Sequence, residues 1–126
     1  MSAERTAVRL VIFLTEDDRV GHREACDVLL ERAREDGMAG ATIWRGVEGF
    51  GRSGHLRTAR LLDGSQGLPV IVELIDSAER IEAFLPVVSS VAPGALVTKE
   101  AVHVVGHPPQ AQAPLDDPGA GGQRVV

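Results

Sequence analysis

A stretch rich in glycine and arginine between residues 41 and 60 has the residue types needed to bind an anion. Residues 41–51, A-T-I-W-R-G-V-E-G-F-G, begin with the alternation of a β-strand and end among glycines. Glycine lets the backbone approach another group closely, and arginine binds phosphate through two parallel hydrogen bonds. In a chain of net charge −5, these arginines form a local positive cluster. The predicted ligand-binding residues are Arg45, Gly46, Glu48, Gly49, Phe50, Gly51, Arg52, His55, Arg57 and Arg60.

The same stretch also has simpler interpretations. A solvent-exposed hairpin loop with ordinary surface arginines would have this composition and bind nothing. The spacing differs from that of a Walker A loop, because no Gly-Lys-Ser or Gly-Lys-Thr follows, and it does not open a helix as a dinucleotide fingerprint does. Glu48 suits a ribose hydroxyl, an arginine partner or a plain surface position, and these alternatives stay open.

The other reactive residues show no catalytic or metal-binding pattern. The histidines are scattered, and Ser53 near His55 lacks an orienting acid for a triad. Cys26 falls on the apolar face of a predicted helix, which favours a small buried thiol over a metal ligand. The acids at 16–18 have the chemistry of a divalent-cation site, but a polar turn before a helix explains them more simply. We therefore predict no catalytic residue and no metal.

Composition limits the classes of function. The 126 residues suffice for one domain with one core. Net acidity, with one tryptophan, three phenylalanines and no tyrosine, argues against a nucleic-acid partner. The single cysteine fits a reducing compartment, and neither a signal-peptide pattern nor an apolar run of membrane-spanning length is apparent. We expect a cytoplasmic protein that requires no cofactor and binds no nucleic acid.

The elements that must position the glycine-arginine stretch alternate in a recognisable order. Alternation predicts a strand at 41–44, and apolar runs predict strands at 7–14, 68–75 and 95–105. Helical spacing predicts helices at 21–36 and from Ser77 to about Ala92. This order is the split βαβ arrangement, an α+β ferredoxin-like βαββαβ fold. It has a four-stranded antiparallel sheet with both helices on one face. The predicted domain covers 7–106, and the Pro- and Gly-rich segment 107–126 is predicted to be a disordered tail.

Two strands carry expectations about assembly. The strand at 7–14 is apolar on both faces apart from Arg9, which predicts that a second subunit covers the face opposite the helices. Glu73 interrupts another apolar strand, so it needs a partner if it is buried. An ion pair with Arg9 or Arg45 across a subunit boundary and a solvent-facing position are both consistent with the pattern.

The helix ends also have sequence signals. Gly37 is placed as the left-handed residue that ends the first helix. Asp76 or Ser77 caps the second helix, and Asp76 with Glu79 three residues later predicts a capping box.

Several segments resemble the small PII-like family: residues 41–51, L-P-V-I-V-E-L-I-D at 68–76, F-L-P at 84–86, and the first strand followed by T-E-D-D-R. The likeness spans residues 8–105. It implies a ferredoxin-like subunit that assembles as a homotrimer and acts as a non-enzymatic regulator. It further implies that AMP, ADP or ATP binds as an effector between subunits. The loop between the second and third strands would then dock on a regulated enzyme or on a membrane transporter or channel.

The hypothesis that follows is a trimeric sensor whose anionic effector orders the loop around residues 45–60. The chain departs from PII proteins in a shorter loop between Gly51 and Leu68 and in having no tyrosine to modify. The alternative is a ferredoxin-like cofactor-free oxygenase or degradative enzyme with a site between sheet and helices, which the few aromatics disfavour. An assembly module without a ligand is a third option. Subunit number separates the first two, because the enzymes are dimers and the sensors are trimers.

Overall fold

The computed structural model describes residues 4–60 and 67–106. Two helices and eight strands occur in these ranges, and the small strands form hairpins outside the main sheet. In chain order the elements are β1 (Arg5–Thr15), β2 (Arg19–Val20), β3 (Arg23–Glu24), α1 (Ala25–Glu35), β4 (Ala41–Arg45), β5 (Glu48–Gly49), β6 (Arg57–Thr58), β7 (Pro69–Asp76), α2 (Ala78–Val91) and β8 (Leu96–Val104).

The main sheet has the strand order β4-β7-β1-β8, and each neighbouring pair is antiparallel. With α1 between β1 and β4, and α2 between β7 and β8, this is the ferredoxin-like topology. The predicted fold class is therefore confirmed. The predicted tail at 107–126 lies outside the described residues, and the domain bounds 7–106 stay a prediction.

The first helix begins later than its apolar pattern suggests. Residues 19–24 form a short antiparallel hairpin, β2 with β3, so α1 starts at Ala25 instead of residue 21. Gly21 lies in the turn of this hairpin with φ +62°, a conformation that glycine adopts without strain. Gly37 has φ +73° directly after the Asp36 C-cap, which confirms the predicted end of α1.

The hydrophobic core lies between the sheet and the helices. Alternate residues of β1 point into it, namely Leu10, Ile12 and Leu14, all of which are buried. Leu29 of α1 and Phe84 of α2 fill the space above them, and both are almost fully buried. Both helices therefore cover the same face of the sheet, as the split βαβ order predicts.

Asp76 at the end of β7 connects the sheet to both helices. Its carboxylate accepts hydrogen bonds from the backbone N–H groups of Ala39 at 2.9 Å and Ser77 at 2.7 Å, and from Arg80 Nε at 3.2 Å. The predicted capping box with Glu79 is wrong, because Ser77 is the N-cap and its side chain accepts from the N–H of Arg80. The carboxylate of Asp76 instead orients the chain at the start of α2.

Candidate functional site

The predicted binding stretch forms a hairpin at one edge of the sheet. The edge strand β4 ends at Arg45, and the N–H of Gly46 donates to Pro69 O at 2.8 Å, which extends the pairing with β7. Strand β5 then pairs with β6, and the N–H of Ala59 donates to Val47 O at 2.9 Å. Residues 45–60, hereafter the edge loop, are therefore an ordered hairpin rather than a featureless connection.

Two glycines of the edge loop are required by packing within the chain. A Cβ atom at Gly46 would lie 3.2 Å from Pro69 Cβ, and one at Gly49 would lie 2.9 Å from Pro69 Cγ. Gly51 faces open space, and the left-handed residue of the loop is Gly54, with φ +76°. The predicted close approach is thus present, but the group approached at Gly46 and Gly49 is Pro69 of the same chain.

Arg45 is held by two carboxylates from distant parts of the sequence. Its Nη1 lies 3.2 Å from Glu16 Oε2, in the turn after β1, and 3.1 Å from Glu24 Oε1, at the start of α1. The hydrogen bond with Glu24 is the main cause that raises the pKa of Arg45. The Arg45 side chain is 43% exposed, so it remains accessible from solvent while it is paired.

Two further arginines of the edge loop, Arg57 on β6 and Arg60 just after it, are also paired with carboxylates. Arg57 Nη1 lies 2.8 Å from Asp17 Oδ2, and the guanidinium of Arg60 contacts the Glu48 carboxylate. Hydrogen bonds from Arg60, and then from Thr58, lower the pKa of Glu48. Of the three uses considered for Glu48, the structure shows the arginine partner.

The positive cluster expected from the sequence is therefore neutralised by carboxylates in this conformation. The remaining predicted residues, Phe50, Arg52 and His55, are exposed, and Phe50 has 74% of its surface accessible. Within residues 4–60 and 67–106, no ion pair involves Arg52. The structure thus brings the ten predicted residues together on one hairpin and its flanks.

Two of the three acids at 16–18 are partners of the edge loop. Glu16 and Asp17 bind Arg45 and Arg57, while Asp18 Oδ2 accepts from the N–H of Thr15 at 2.7 Å within the turn itself. Their carboxylates are directed at different donors, and Asp17 and Asp18 are exposed in the polar turn that the sequence predicts. This role was missed because only the fold shows which arginines they face.

Cys26 lies in the first turn of α1 and is buried, with 1% of its surface exposed. Its Sγ lies 3.4 Å from Glu24 Oε1, and Asp27 completes a group of ligand atoms within 4.8 Å of one another. Burial, and then the hydrogen bond to Glu24, raises the pKa of the thiol to about 11. The predicted buried thiol is confirmed.

Cys26 is expected to react with a disulfide reagent such as DTNB at least a hundredfold more slowly in folded than in urea-unfolded protein at pH 8. The reason is that both burial and a scarce thiolate oppose attack. The absorbance of the released thionitrobenzoate gives the two rates. Comparable rates would show that the N-terminal end of α1 opens readily.

The sheet face opposite the helices, hereafter the open face, carries an apolar row across all four strands. Phe13 pairs with Ile71 on one side and with Leu96 on the other, and Ile71 also pairs with Trp44. Phe13 is 40% exposed, and Trp44 and Leu96 are more so. Exposed aromatic and aliphatic side chains in one continuous row are typical of a surface that another molecule covers.

A polar chain lies beside this row on the open face. Arg9 Nε donates to Glu73 Oε2 at 2.7 Å, its Nη1 donates to Glu100 Oε1 at 2.9 Å, and Trp44 Nε1 donates to Glu73 Oε1 at 2.8 Å. The bond from Arg9 is the main cause that lowers the pKa of Glu73. The predicted partner Arg9 is thus found, but within the same chain rather than across a subunit boundary.

Two polar side chains are buried in the part of the chain that is described, Thr58 on β6 and Asp76 at the end of β7. His22, His55 and His103 are exposed. Neither α1 nor α2 is long and apolar enough to cross a membrane, and these are the helices of the described ranges.

Solved structures with the same fold are PII-like proteins. A candidate PII-like signalling protein from Thermus thermophilus matches with a TM-score of 0.60 and 21% identity, over 82% of this chain and 94% of the other. CPII from Thiomonas intermedia K12, a nitrogen regulatory PII-like protein bound to ADP, AMP and bicarbonate, matches with a TM-score of 0.53. It is 22% identical, over 81% of this chain and 91% of the other. At this identity the likeness establishes the fold.

Sequence relatives establish the family. The UPF0166 protein of Aquifex aeolicus is 38% identical over 96 residues, which is 76% of this chain and 90% of that protein. The model of the DUF190 family, described as "Uncharacterized ACR, COG1993", matches residues 7–104. The resemblance drawn from residues 41–51 and 68–76 is therefore confirmed. The chain belongs to the DUF190 (UPF0166) family, an uncharacterised family with the PII-like fold.

Proposed function

We propose that this protein is a homotrimeric signalling protein that binds an adenine nucleotide at the edge loop and reports its presence to a regulated protein. The observation that carries the proposal is the clustering of Arg45, Arg57 and Arg60 around one hairpin, each already bound to a carboxylate. A guanidinium that binds carboxylate has the geometry needed for phosphate, because both present paired oxygens to the same planar fork. The fold match to CPII, which holds ADP and AMP, gives this chemistry a specific ligand class.

The rest of the hairpin supplies what a nucleotide needs beyond charge. The exposed ring of Phe50 offers a surface on which a base can stack, and the backbone at Gly51 is open to approach. Arg52 and His55 are exposed nearby and suit further phosphate oxygens. In this role the nucleotide is an effector and not a cofactor.

The signal in this proposal is a change in the conformation of the edge loop, which is already an ordered hairpin without ligand. Arginines that exchange carboxylates of their own chain for phosphate would reposition β5 and β6, a switch-loop rearrangement of the kind that nucleotide-dependent regulators use. The regulated protein would be an enzyme or a membrane transporter or channel that reads the loop.

The open face supports the homotrimer. Its apolar row of Trp44, Ile71, Phe13 and Leu96 crosses the whole sheet, and like copies of the chain would cover it. The edge strand β4 would then lie at a boundary between subunits, and Arg45 at its end with it. The proposed ligand would then bind at a seam of the assembly.

Titration calorimetry with AMP, ADP and ATP tests the proposal. We expect saturable heat with at least one nucleotide and a raised melting temperature, since a ligand that binds only the folded state stabilises it. Arg45→Ala should weaken binding about tenfold or more, because charge-assisted hydrogen bonds contribute about 1.5–3 kcal/mol.

The matched control is Arg34→Ala, which removes an exposed arginine from α1 on the helical side of the molecule. It should bind as the wild type does. Absence of heat and of any melting shift with all three nucleotides would overturn the nucleotide proposal. Normal binding by Arg45→Ala would remove this residue from the site.

A further inference from the structure

We propose that the turn after β1 is an internal competitor for the anion site: Glu16 and Asp17 occupy the arginines of the edge loop, and an anionic effector must displace them. The proposal rests on the proposed function for its ligand. It assigns to Glu16 a role in setting effector affinity, and to the turn a role in holding the loop closed when no effector is bound.

Glu16 joins the two ends of the connection between β4 and β7. Its Oε2 lies 3.2 Å from Arg45 Nη1, at the end of β4, and its Oε1 accepts from the N–H of Leu68 at 3.1 Å, just before β7. Its own N–H also donates to Leu68 O at 3.0 Å. One side chain therefore ties the entry and the exit of this connection to the turn after β1.

Asp17 adds a second tie next to the first. The Arg57–Asp17 pair packs directly against Gly67, where a Cβ atom would lie 1.8 Å from Arg57 Nη1 and 2.5 Å from Asp17 Oδ2. Gly67 also has φ +67°, which disfavours any other residue there. A side chain at position 67 would therefore have to displace this ion pair, so glycine at this position favours the closed arrangement.

Charge makes the closed arrangement incompatible with a bound phosphate at Arg45. The guanidinium already faces the carboxylates of Glu16 and Glu24, and a third anionic group on the same side would be repelled by both. Glu24 is held in regular secondary structure, because it belongs to β3 and directly precedes α1, whereas Glu16 lies in a turn. We therefore expect Glu16 to move away when an anion binds, which also frees the N–H of Leu68.

Coupling between the two events is reciprocal. If effector binding has to release Glu16, a substitution that removes this contact should strengthen effector binding, because the free-energy cost of breaking the contact no longer opposes it. Two substitutions separate the contacts, since Glu16→Gln keeps an oxygen for the N–H of Leu68 and removes the charge facing Arg45. Glu16→Ala removes both contacts.

Hydrogen exchange measured by NMR without any ligand tests whether Glu16 holds the edge loop closed. In Glu16→Ala we expect the amides of Leu68, Gly46 and Ala59 to exchange at least tenfold faster than in the wild type. The control is Glu31→Ala, which breaks a Glu–Arg pair between α1 and Arg23 of β3, at 2.8 Å, without touching the edge loop. It should leave these amides unchanged. Faster exchange confined to Leu68 would overturn the holding role.

Calorimetry with ADP and with inorganic pyrophosphate tests the competition. We expect Glu16→Gln to bind at least one of them threefold or more tightly than the wild type does, and Glu31→Gln to match the wild type. If the wild type binds and Glu16→Gln binds with equal or lower affinity, the competitor role is overturned and the nucleotide proposal stays intact. Absence of binding by both proteins would overturn the proposed function and this inference together, so the two failures are distinguishable.

Discussion

Replacement of Asp76 by alanine is expected to lower the free energy of unfolding by about 3–5 kcal/mol, the range for removing one partner of a buried charged network. The carboxylate is buried and accepts from the N–H of Ala39, the N–H of Ser77 and Nε of Arg80. Alanine leaves these donors without their acceptor at the point where β7, α2 and the end of α1 meet. Urea unfolding followed by circular dichroism measures the change.

The comparison variant is Glu82→Ala, which removes the carboxylate that binds Lys99. Both of those side chains are about half exposed, so we expect a loss of less than about 1 kcal/mol. Asp76→Asn should fall between the two, because it keeps one acceptor oxygen. A stability of Asp76→Ala within 1 kcal/mol of the wild type, roughly the loss expected at an exposed pair, would show that the carboxylate does not organise this junction.

Phe13→Glu is expected to convert the proposed trimer into single subunits without unfolding them. Phe13 lies in the middle of the apolar row on the open face and is 40% exposed, so one subunit tolerates a charge there. In an assembly the same carboxylate would be buried without a partner, which costs several kcal/mol per ion. Sedimentation velocity should show the mass falling from three chains to one.

Two variants isolate the cause. Phe13→Leu keeps an apolar side chain in the row and should remain assembled. Ala101→Glu places a new carboxylate at an exposed position on the opposite face of β8 and should also remain assembled. A wild-type protein that sediments as a single subunit would contradict the trimer, and a dimer would favour the alternative of a small degradative enzyme.

Much of the fold was predictable because it depends on local periodicity. The apolar alternation of β1 and β7 and the helical spacing of α2 gave these elements to within a few residues. The hairpin of β2 and β3 was not predicted, since residues 19–24 are polar and their pairing depends on Gly21 at the turn. Ser77 and Asp76 offered two candidate caps, and only their burial and contacts decide between them.

The location of the candidate site was predictable from the sequence, but the ion pairs of its arginines were not. Glycines and arginines mark the edge loop in the sequence, whereas the carboxylates that bind them come from residues far along the chain. Glu16 is 29 positions from Arg45, and Asp17 is 40 positions from Arg57. Their approach follows from the sheet placing the end of β4 beside the turn after β1, a tertiary fact that no local pattern contains.

The polar chain on the open face has a practical consequence. The sequence contains a single tryptophan, and its indole N–H is bound to Glu73 where the sheet is uncovered. This ring lies one residue before Arg45, at the start of the loop that we propose to be responsive. The native protein therefore carries its own fluorophore at the junction between the proposed assembly surface and the proposed ligand loop, and its emission should respond to both events without an attached dye.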